Sequence, residues 1–403
     1  MISEQNIARK MRLMGRMGLI GLIGLMGLMG LGLMGCSSSD EAATPAPAPT
    51  TVELQSYVTG YEEAVRANAA NGANGANGPV NRAWTQPTGY SLYSDAESPI
   101  SVFFTQGMTS GNEEYFYKSS GHWRASQDEI AAGTYYLYGY VPHDQSITST
   151  ASVLEGEGKT FADGAVLTIE NVPTVSKADF CVVIAAKNGA SANEDYSTEG
   201  LKRGNFEYVA QATGGDGHNY VYLLFDHLFS ALRVKMRVQG DYNDLRTIKL
   251  KELRMQTSGA GDVPTKKKTQ ITVTLNKTTD GADPVGSVVF TPDSDSGNSD
   301  GAVVDWNDGI TLTADYQEFQ GHLMPFGVTN IKLISTYDVY DKKGNLIRQN
   351  CTATNTINIS NLFSGQTETL RGRRYTINLT INPTYLYMLS EPDLNDPTVV
   401  VTE

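Results

Sequence analysis

Apolar and polar residues alternate in short runs along most of this chain, and polar turns separate the runs. The first run, residues 51–58, sets Val52, Leu54, Ser56 and Val58 on one side and Glu53, Gln55 and Tyr57 on the other. A two-residue period is that of a β-strand with one buried face. The same reading predicts strands at 100–104, 134–141, 166–169 and 179–186. A second half would begin with 220–238, where Leu232, Val234, Met236 and Val238 alternate with Arg233, Lys235 and Arg237. Further strands are expected at 248–255, 270–275, 285–290, 310–314, 330–340, 345–349 and 374–381. Asp280-Gly281, Asp308-Gly309 and Lys343-Gly344-Asn345 read as turns between them. The helical period is nowhere sustained. The expectation is an all-β fold of two tandem β-sandwiches. They would occupy residues 84–217 and 218–403, parted at Gly214-Gly215-Asp216-Gly217.

Three segments depart from this pattern. Residues 1–16 carry Arg9, Lys10, Arg12 and Arg16, and residues 17–35 are apolar and rich in glycine. A basic stretch followed by an apolar one is the layout of a secretory signal. Leu33-Met34-Gly35-Cys36 resembles the lipobox of bacterial lipoproteins, which makes the Cys36 thiol the expected lipid attachment point. The rival reading, an uncleaved membrane helix of about 20 residues, is weakened by glycine at roughly every third position. Residues 37–50 (SSSDEAATPAPAPT) form an extended Pro/Ala tether. Their opening Ser37-Ser38-Ser39-Asp40-Glu41 resembles the acidic export signals of surface lipoproteins. Residues 67–83 (ANAANGANGANGPVNRA) are too poor in apolar side chains to build a core and read as a loop open to proteases. Tether, first strand and loop together make up residues 36–83.

Charge and residue types then exclude several functions. The formal charge is −13, which disfavours nucleic acid as a partner, because phosphates call for Lys and Arg. The three cysteines, Cys36, Cys181 and Cys351, do not form a disulfide framework. Cys181 opens the apolar run CVVIAA, where a free thiol packs as a small hydrophobe. The five histidines, His122, His143, His218, His227 and His322, show neither HExxH nor another close zinc spacing. His227 beside Asp226 reads as a structural, hydrogen-bonded histidine. Asp293-Ser294-Asp295-Ser296-Gly297-Asn298-Ser299-Asp300-Gly301 looks like a calcium loop. The EF-hand register, however, meets Asn298 where it wants glycine and Val304 where it wants glutamate. Lys266-Lys267-Lys268 reads as a solvated turn, and no GxSxG elbow, P-loop or dinucleotide fingerprint occurs. The reading is a non-enzymatic protein for which neither cofactor nor metal is expected.

Three pieces of the chain, in order, carry a family resemblance. The first is lipobox, strand and loop ending in Asn81-Arg82-Ala83. The second is residues 225–234 (FDHLFSALRV), and the third is residues 370–381 (LRGRRYTINLTI). Together they resemble the fimbrillins, Mfa-like subunits of type V pili of anaerobic bacteria. The resemblance implies two transthyretin-like domains and a place in a cell-surface fimbria. It also implies partners: other fimbrial subunits (copies, tip or anchor proteins), an Arg-specific protease acting between Arg82 and Ala83, and the outer membrane through the precursor's lipid. Arg66-Ala67 is a second Arg-Ala junction, and Arg82 is preferred because Trp84 begins the packed domain.

The mechanism so implied is strand exchange. The strand bearing Val52, Leu54, Ser56 and Val58 would cap an edge of the first sandwich and leave after cleavage. A strand from a neighbour would then replace it by β-augmentation. The apolar tail with Val399, Val400 and Val401 is the expected donor, the alternative being the last strand of its own domain. Two other readings stay open: a pilus anchor that keeps its lipid and escapes cleavage, and a surface glycan-binding lipoprotein with exposed paired aromatics.

Overall fold

The structure is a computed structural model of the 403-residue chain. It describes residues 51–64, 90–92, 99–119, 122–125, 130–174, 178–189, 201–211, 218–279, 282–382 and 398–402. The leader with Cys36, the Arg66-Ala67 and Arg82-Ala83 junctions and the glycine cluster at 214–217 lie outside the described residues.

Alternating sequence becomes strand throughout. The first strands are β1 (Thr51–Thr59), β2 (Glu62–Glu63), β3 (Tyr90–Leu92), β4 (Ile100–Thr105), β5 (Glu113–Ser119) and β6 (His122–Ala125). Next come β7 (Gly133–Val141), β8 (Thr148–Val153), β9 (Gly164–Pro173), β10 (Cys181–Gly189), β11 (Glu207–Ala210) and β12 (His218–His227). Then follow β13 (Ser230–Val238), β14 (Arg246–Ser258), β15 (Lys268–Asn276), β16 (Val285–Pro292) and β17 (Gly301–Leu312). The last are β18 (Gln317–Met324), β19 (Asn330–Asp341), β20 (Leu346–Asn358), β21 (Arg373–Asn382) and β22 (Thr398–Thr402).

Two hydrophobic cores result. Around the first, strands lie in the order β10-β12-β1-β6-β5-β4-β7-β11, with β3 also on β1. Val141 at the end of β7 pairs with Cys181 at the start of β10, which closes the sheet on itself. A second sheet, β16-β15-β9-β8, shares this core. Every residue of β4 and the run CVVIAA of β10 are buried, as suits strands covered on both faces. The second core is a sandwich of β18-β13-β21-β2, with β22 also on β21, against β17-β14-β19-β20. Tyr375 anchors it. Its ring meets Phe363 edge-on at 4.9 Å, and its hydroxyl donates to Gln366 and accepts from the Leu370 amide.

The partition differs from the expected one in three ways. The β15–β16 hairpin, assigned by sequence order to the second half, pairs with β9 and buries Ile271, Val273 and Leu275 in the first core. The chain passes from first core to second between Ala231 and Leu232, so β12 stays with the first and the boundary lies beyond 217. Glycines signal a break in a strand, whichever core its two sides join. Asp308-Gly309 is no turn between strands. It lies within β17, where Leu250 pairs with Ile310 and Glu252 with Asp305, and the intervening residues bulge with Gly309 at φ +70°. The turn at Lys343-Gly344-Asn345 does form. Asp341 accepts from the amides of Lys343 and Asn345, and Gly344 takes φ +87°.

Leu275→Ala should therefore weaken the first core, by about 2–5 kcal/mol. Hydrogen-exchange mass spectrometry checks the placement: amides of β9 should exchange faster, while those of β14 and β19 hold their rates.

Candidate functional site

The strand singled out by the sequence occupies a slot inside the first sheet. On one side β1 runs parallel to β12, paired from Thr51 opposite His218 to Val58 opposite Phe225. On the other it is antiparallel to β6 at Glu53 and Leu54, and to β3 at Tyr57, Val58 and Thr59. It does not cap an edge; it fills a gap between neighbours. Val52, Leu54 and Ser56 are buried as expected, and Val58 is half-buried. The opposite face is covered too. Tyr57 and Thr59 are buried, and Glu53 is buried with its carboxylate 3.0 Å from Arg124. One group fits poorly: the Ser56 hydroxyl is buried without a hydrogen-bond partner. An unmet hydroxyl costs about 1–3 kcal/mol.

Polar groups from both cores hold the end of this strand. The Thr59 hydroxyl donates to Asp226 Oδ1 at 2.5 Å, and His227 Nε2–H donates to the Thr59 carbonyl at 2.5 Å. The Tyr61 ring stacks on His227 with centroids 3.7 Å apart, and its hydroxyl donates to Asp179 at 2.8 Å. Burial and the nearby Asp179 push the Tyr61 phenol far above its ordinary range. Asp226, whose side chain is 1% exposed, takes Arg203 at 3.3 Å and Arg371 at 2.8 Å. Arg371 also reaches Asp283 at 2.7 Å. Burial pulls the Arg371 pKa down, but the two carboxylates outweigh it and raise it above the ordinary value. Beyond Tyr61, β2 pairs with β21, and Glu63 lies 3.1 Å from Arg233 and 3.3 Å from Arg374.

Few of these partners were visible in the sequence. Asp226 and His227 were singled out, and Arg371 belongs to the segment LRGRRY, but nothing local pointed to Tyr61, Asp179, Arg203 or Asp283. The tail residues Val399, Val400 and Val401 lie in β22, opposite Ile381, Thr380 and Leu379 of the same chain. Cys181 and Cys351 are free thiols. Burial, with Asp179 and Asp226 nearby, lifts the Cys181 pKa well above the usual thiol value.

The calcium-like loop is engaged elsewhere. Asp293 accepts from the Asp295 amide, Asn298 from Lys266, and Asp300 pairs with Arg254. Beside it lies a groove of about 460 Å³ whose lining includes Asp262, Lys267, Asn298, Asp300, Asn330 and Lys332 and no aromatic residue. Paired aromatics, the mark expected of a glycan site, are not what this groove offers.

Arg371→Ala should leave Asp226 under-compensated and lower stability by about 3–5 kcal/mol. Denaturant unfolding measures the loss, and faster proteolysis at the β1 end should accompany it.

No protein-family model and no curated protein matches the chain. Several solved structures are similar to it. One is a candidate cell adhesion protein from Bacteroides fragilis, with a TM-score of 0.42 and 11% identity over 87% of this chain and 96% of that one. Another is a fimbrial protein from Bacteroides vulgatus, with a TM-score of 0.36 and 14% identity over 76% of this chain and 92% of that one. A third is the fimbrial anchor protein Mfa2 from Porphyromonas gingivalis, with a TM-score of 0.22 and 13% identity over 87% of this chain and 95% of that one. These similar structures are thus of fimbrial and cell-adhesion proteins.

Proposed function

We propose that this chain is a structural, non-catalytic subunit, stalk or tip, of a cell-surface fimbria. In this reading it is exported as a lipoprotein on Cys36, matured by cleavage between Arg82 and Ala83, and assembled by strand exchange. The observation that carries the reading is the position of β1, an internal strand of the first sheet joined to the rest through the segment that holds Arg82. Cutting there leaves β1 held by noncovalent contacts alone.

The energetics favour replacement over simple loss. Departure of β1 would strip β12 of its partner from His218 to Phe225 and open the pockets of Val52, Leu54 and Tyr57. Burying those three side chains is worth roughly 4–9 kcal/mol as an upper bound. An incoming strand recovers both the backbone pairing and the pockets. While the loop is intact, the tethered strand competes at about millimolar effective concentration, so assembly waits for the protease. The unpartnered Ser56 hydroxyl gives an apolar newcomer an advantage at that position.

Strand β22 is the natural donor. Among the described pairings it joins one neighbour, β21, and it brings three β-branched residues, Val399, Val400 and Val401. A strand with one partner detaches more cheaply than one with two. Donor and slot lie on different cores, so the contact is head-to-tail and propagates as a filament. Cleavage would also part the lipid on Cys36 from the assembled subunit.

Digestion of the purified chain with an Arg-specific protease should give a ladder of polymers on an unboiled gel. Arg82→Ala should abolish the ladder and Arg66→Ala should leave it; a ladder that survives Arg82→Ala rejects the assigned junction. Deleting residues 396–403 should stop polymerisation after normal cleavage, and normal polymerisation would reject the donor. Ser56→Ala should retain β1 more firmly and slow the ladder's appearance in a time course.

A further inference from the structure

Three side chains with metal-binding atoms converge where β1 ends. Asp179 precedes β10 and Cys181 begins it, two residues apart and so on one side of an extended chain. His227 ends the neighbouring β12 and pairs directly with Cys181. A carboxylate oxygen, Sγ and Nδ1 all lie within 4.8 Å of one another. Nδ1 is 3.0 Å from Asp179 Oδ1, 2.9 Å from Oδ2 and 3.4 Å from Cys181 Sγ. The other ring nitrogen is committed, since Nε2–H donates to the Thr59 carbonyl. With Nε2–H so held, Nδ1 is the nitrogen that faces the thiol and the carboxylate, and its contact with Asp179 is the one an ion would replace. Metal-bound histidines are held in this manner, with the remote N–H on a carbonyl or carboxylate.

We propose that Asp179, Cys181 and His227 form a transition-metal site suited to Zn²⁺. The donor set decides the class of ion: thiolate and imidazole favour zinc over the hard cations calcium and magnesium. The two separations from Nδ1 are close to those zinc needs, and the sulfur and the carboxylate lie within 4.8 Å of each other. Zinc bonds of about 2.0–2.1 Å to nitrogen, 2.3 Å to sulfur and 2.0–2.2 Å to oxygen place tetrahedral N and S about 3.5 Å apart, and N and O about 3.3 Å apart. The sulfur already stands at that separation, and the carboxylate has a few tenths of an ångström to retreat. Asp179 can do so, because its side chain is 29% exposed and lies outside the strand. Three protein donors leave a fourth position for water.

Charge acts in the same direction. Burial, Asp179 and Asp226 raise the Cys181 pKa, and a cation beside the thiol opposes all three. A divalent ion supplies the two positive charges that thiolate and carboxylate together require. The other groups facing the cluster are the Tyr61 hydroxyl on Asp179, and Asp226 with Arg203 and Arg371 upon it. Because His227 also grips Thr59, an ion on Nδ1 would strengthen the hold on the end of β1. This consequence rests on the proposed strand release; the site itself does not.

Cobalt titration of the full chain in detergent tests the site, with Cys36→Ser and Cys351→Ser leaving Cys181 as the sole thiol. One equivalent of Co²⁺ should produce a thiolate-to-cobalt charge-transfer band and intense visible bands of tetrahedral cobalt, both erased by Zn²⁺. Cys181→Ala should remove the charge-transfer band. Asp179→Asn, a mild change in a partly exposed loop, should weaken binding more than about tenfold while the β-type circular dichroism is kept. Absence of the charge-transfer band from the parent, or equal affinity in the Asp179→Asn chain, overturns the assignment. The spectrum needs no polymerisation, so failure of the ladder experiment leaves this result standing, and the reverse.

Discussion

A carboxylate buried between two cores has to be neutralised by groups from both, and Asp226 imposes that constraint here. Its side chain is 1% exposed, and Arg203 from the first core and Arg371 from the approach to β21 both converge on it. A buried ion pair of this kind adds little net stability over apolar packing, yet removal of one partner is severe. Its contribution is specificity of geometry. With Asp226 set, its neighbour His227 is aimed at Thr59, and Thr59 binds Asp226 in return. The same few atoms therefore register the end of β1, the start of β10 and the entry to β21.

The rest of the first core can be understood from that registration. β1 is parallel to β12 although far from it in sequence, and parallel neighbours need long connections. The ten strands from β2 to β11 make up that connection, and the Arg82-Ala83 junction falls within it, before β3. A strand attached in this way can be structurally central and covalently dispensable at once. Its backbone partners are supplied by β12, β6 and β3, and its hold at the end is polar, which is weaker against competition than continuous packing. The buried, unpartnered Ser56 adds to this impression of a strand seated adequately but short of optimally.

Much of the fold was legible because burial in a strand is written with a period of two. β13 shows it plainly: Leu232, Val234, Met236 and Val238 are buried and Arg233, Lys235 and Arg237 are not. The run CVVIAA also announced a strand covered on both faces. β20 was harder. Its buried residues, Cys351, Ala353 and Ile357, are small or widely spaced among Thr and Asn, so only the start of the strand was recognised. The site was visible at Asp226 and His227 and nowhere else with chemistry attached. Asp179 and Cys181 lie more than forty residues before His227 and meet it only through the pairing of β10 with β12.

The order of apolar and polar residues by itself determined that this chain is built of strands, where most of them lie and which side chains turn inward. The Asp226-His227 pair and the apolar tail at 399–401 were equally plain on the page. Tertiary structure alone decided which strands are neighbours: that β15 and β16 serve the first core, that β1 lies inside a sheet, and that Asp179, Cys181 and His227 meet. The reason is physical. A side chain's polarity states whether it seeks water, a local property, whereas sheets are joined by backbone amides and carbonyls that nearly every residue carries alike. Sequence therefore encodes burial strand by strand, and the choice of partner waits on how all the buried faces pack together.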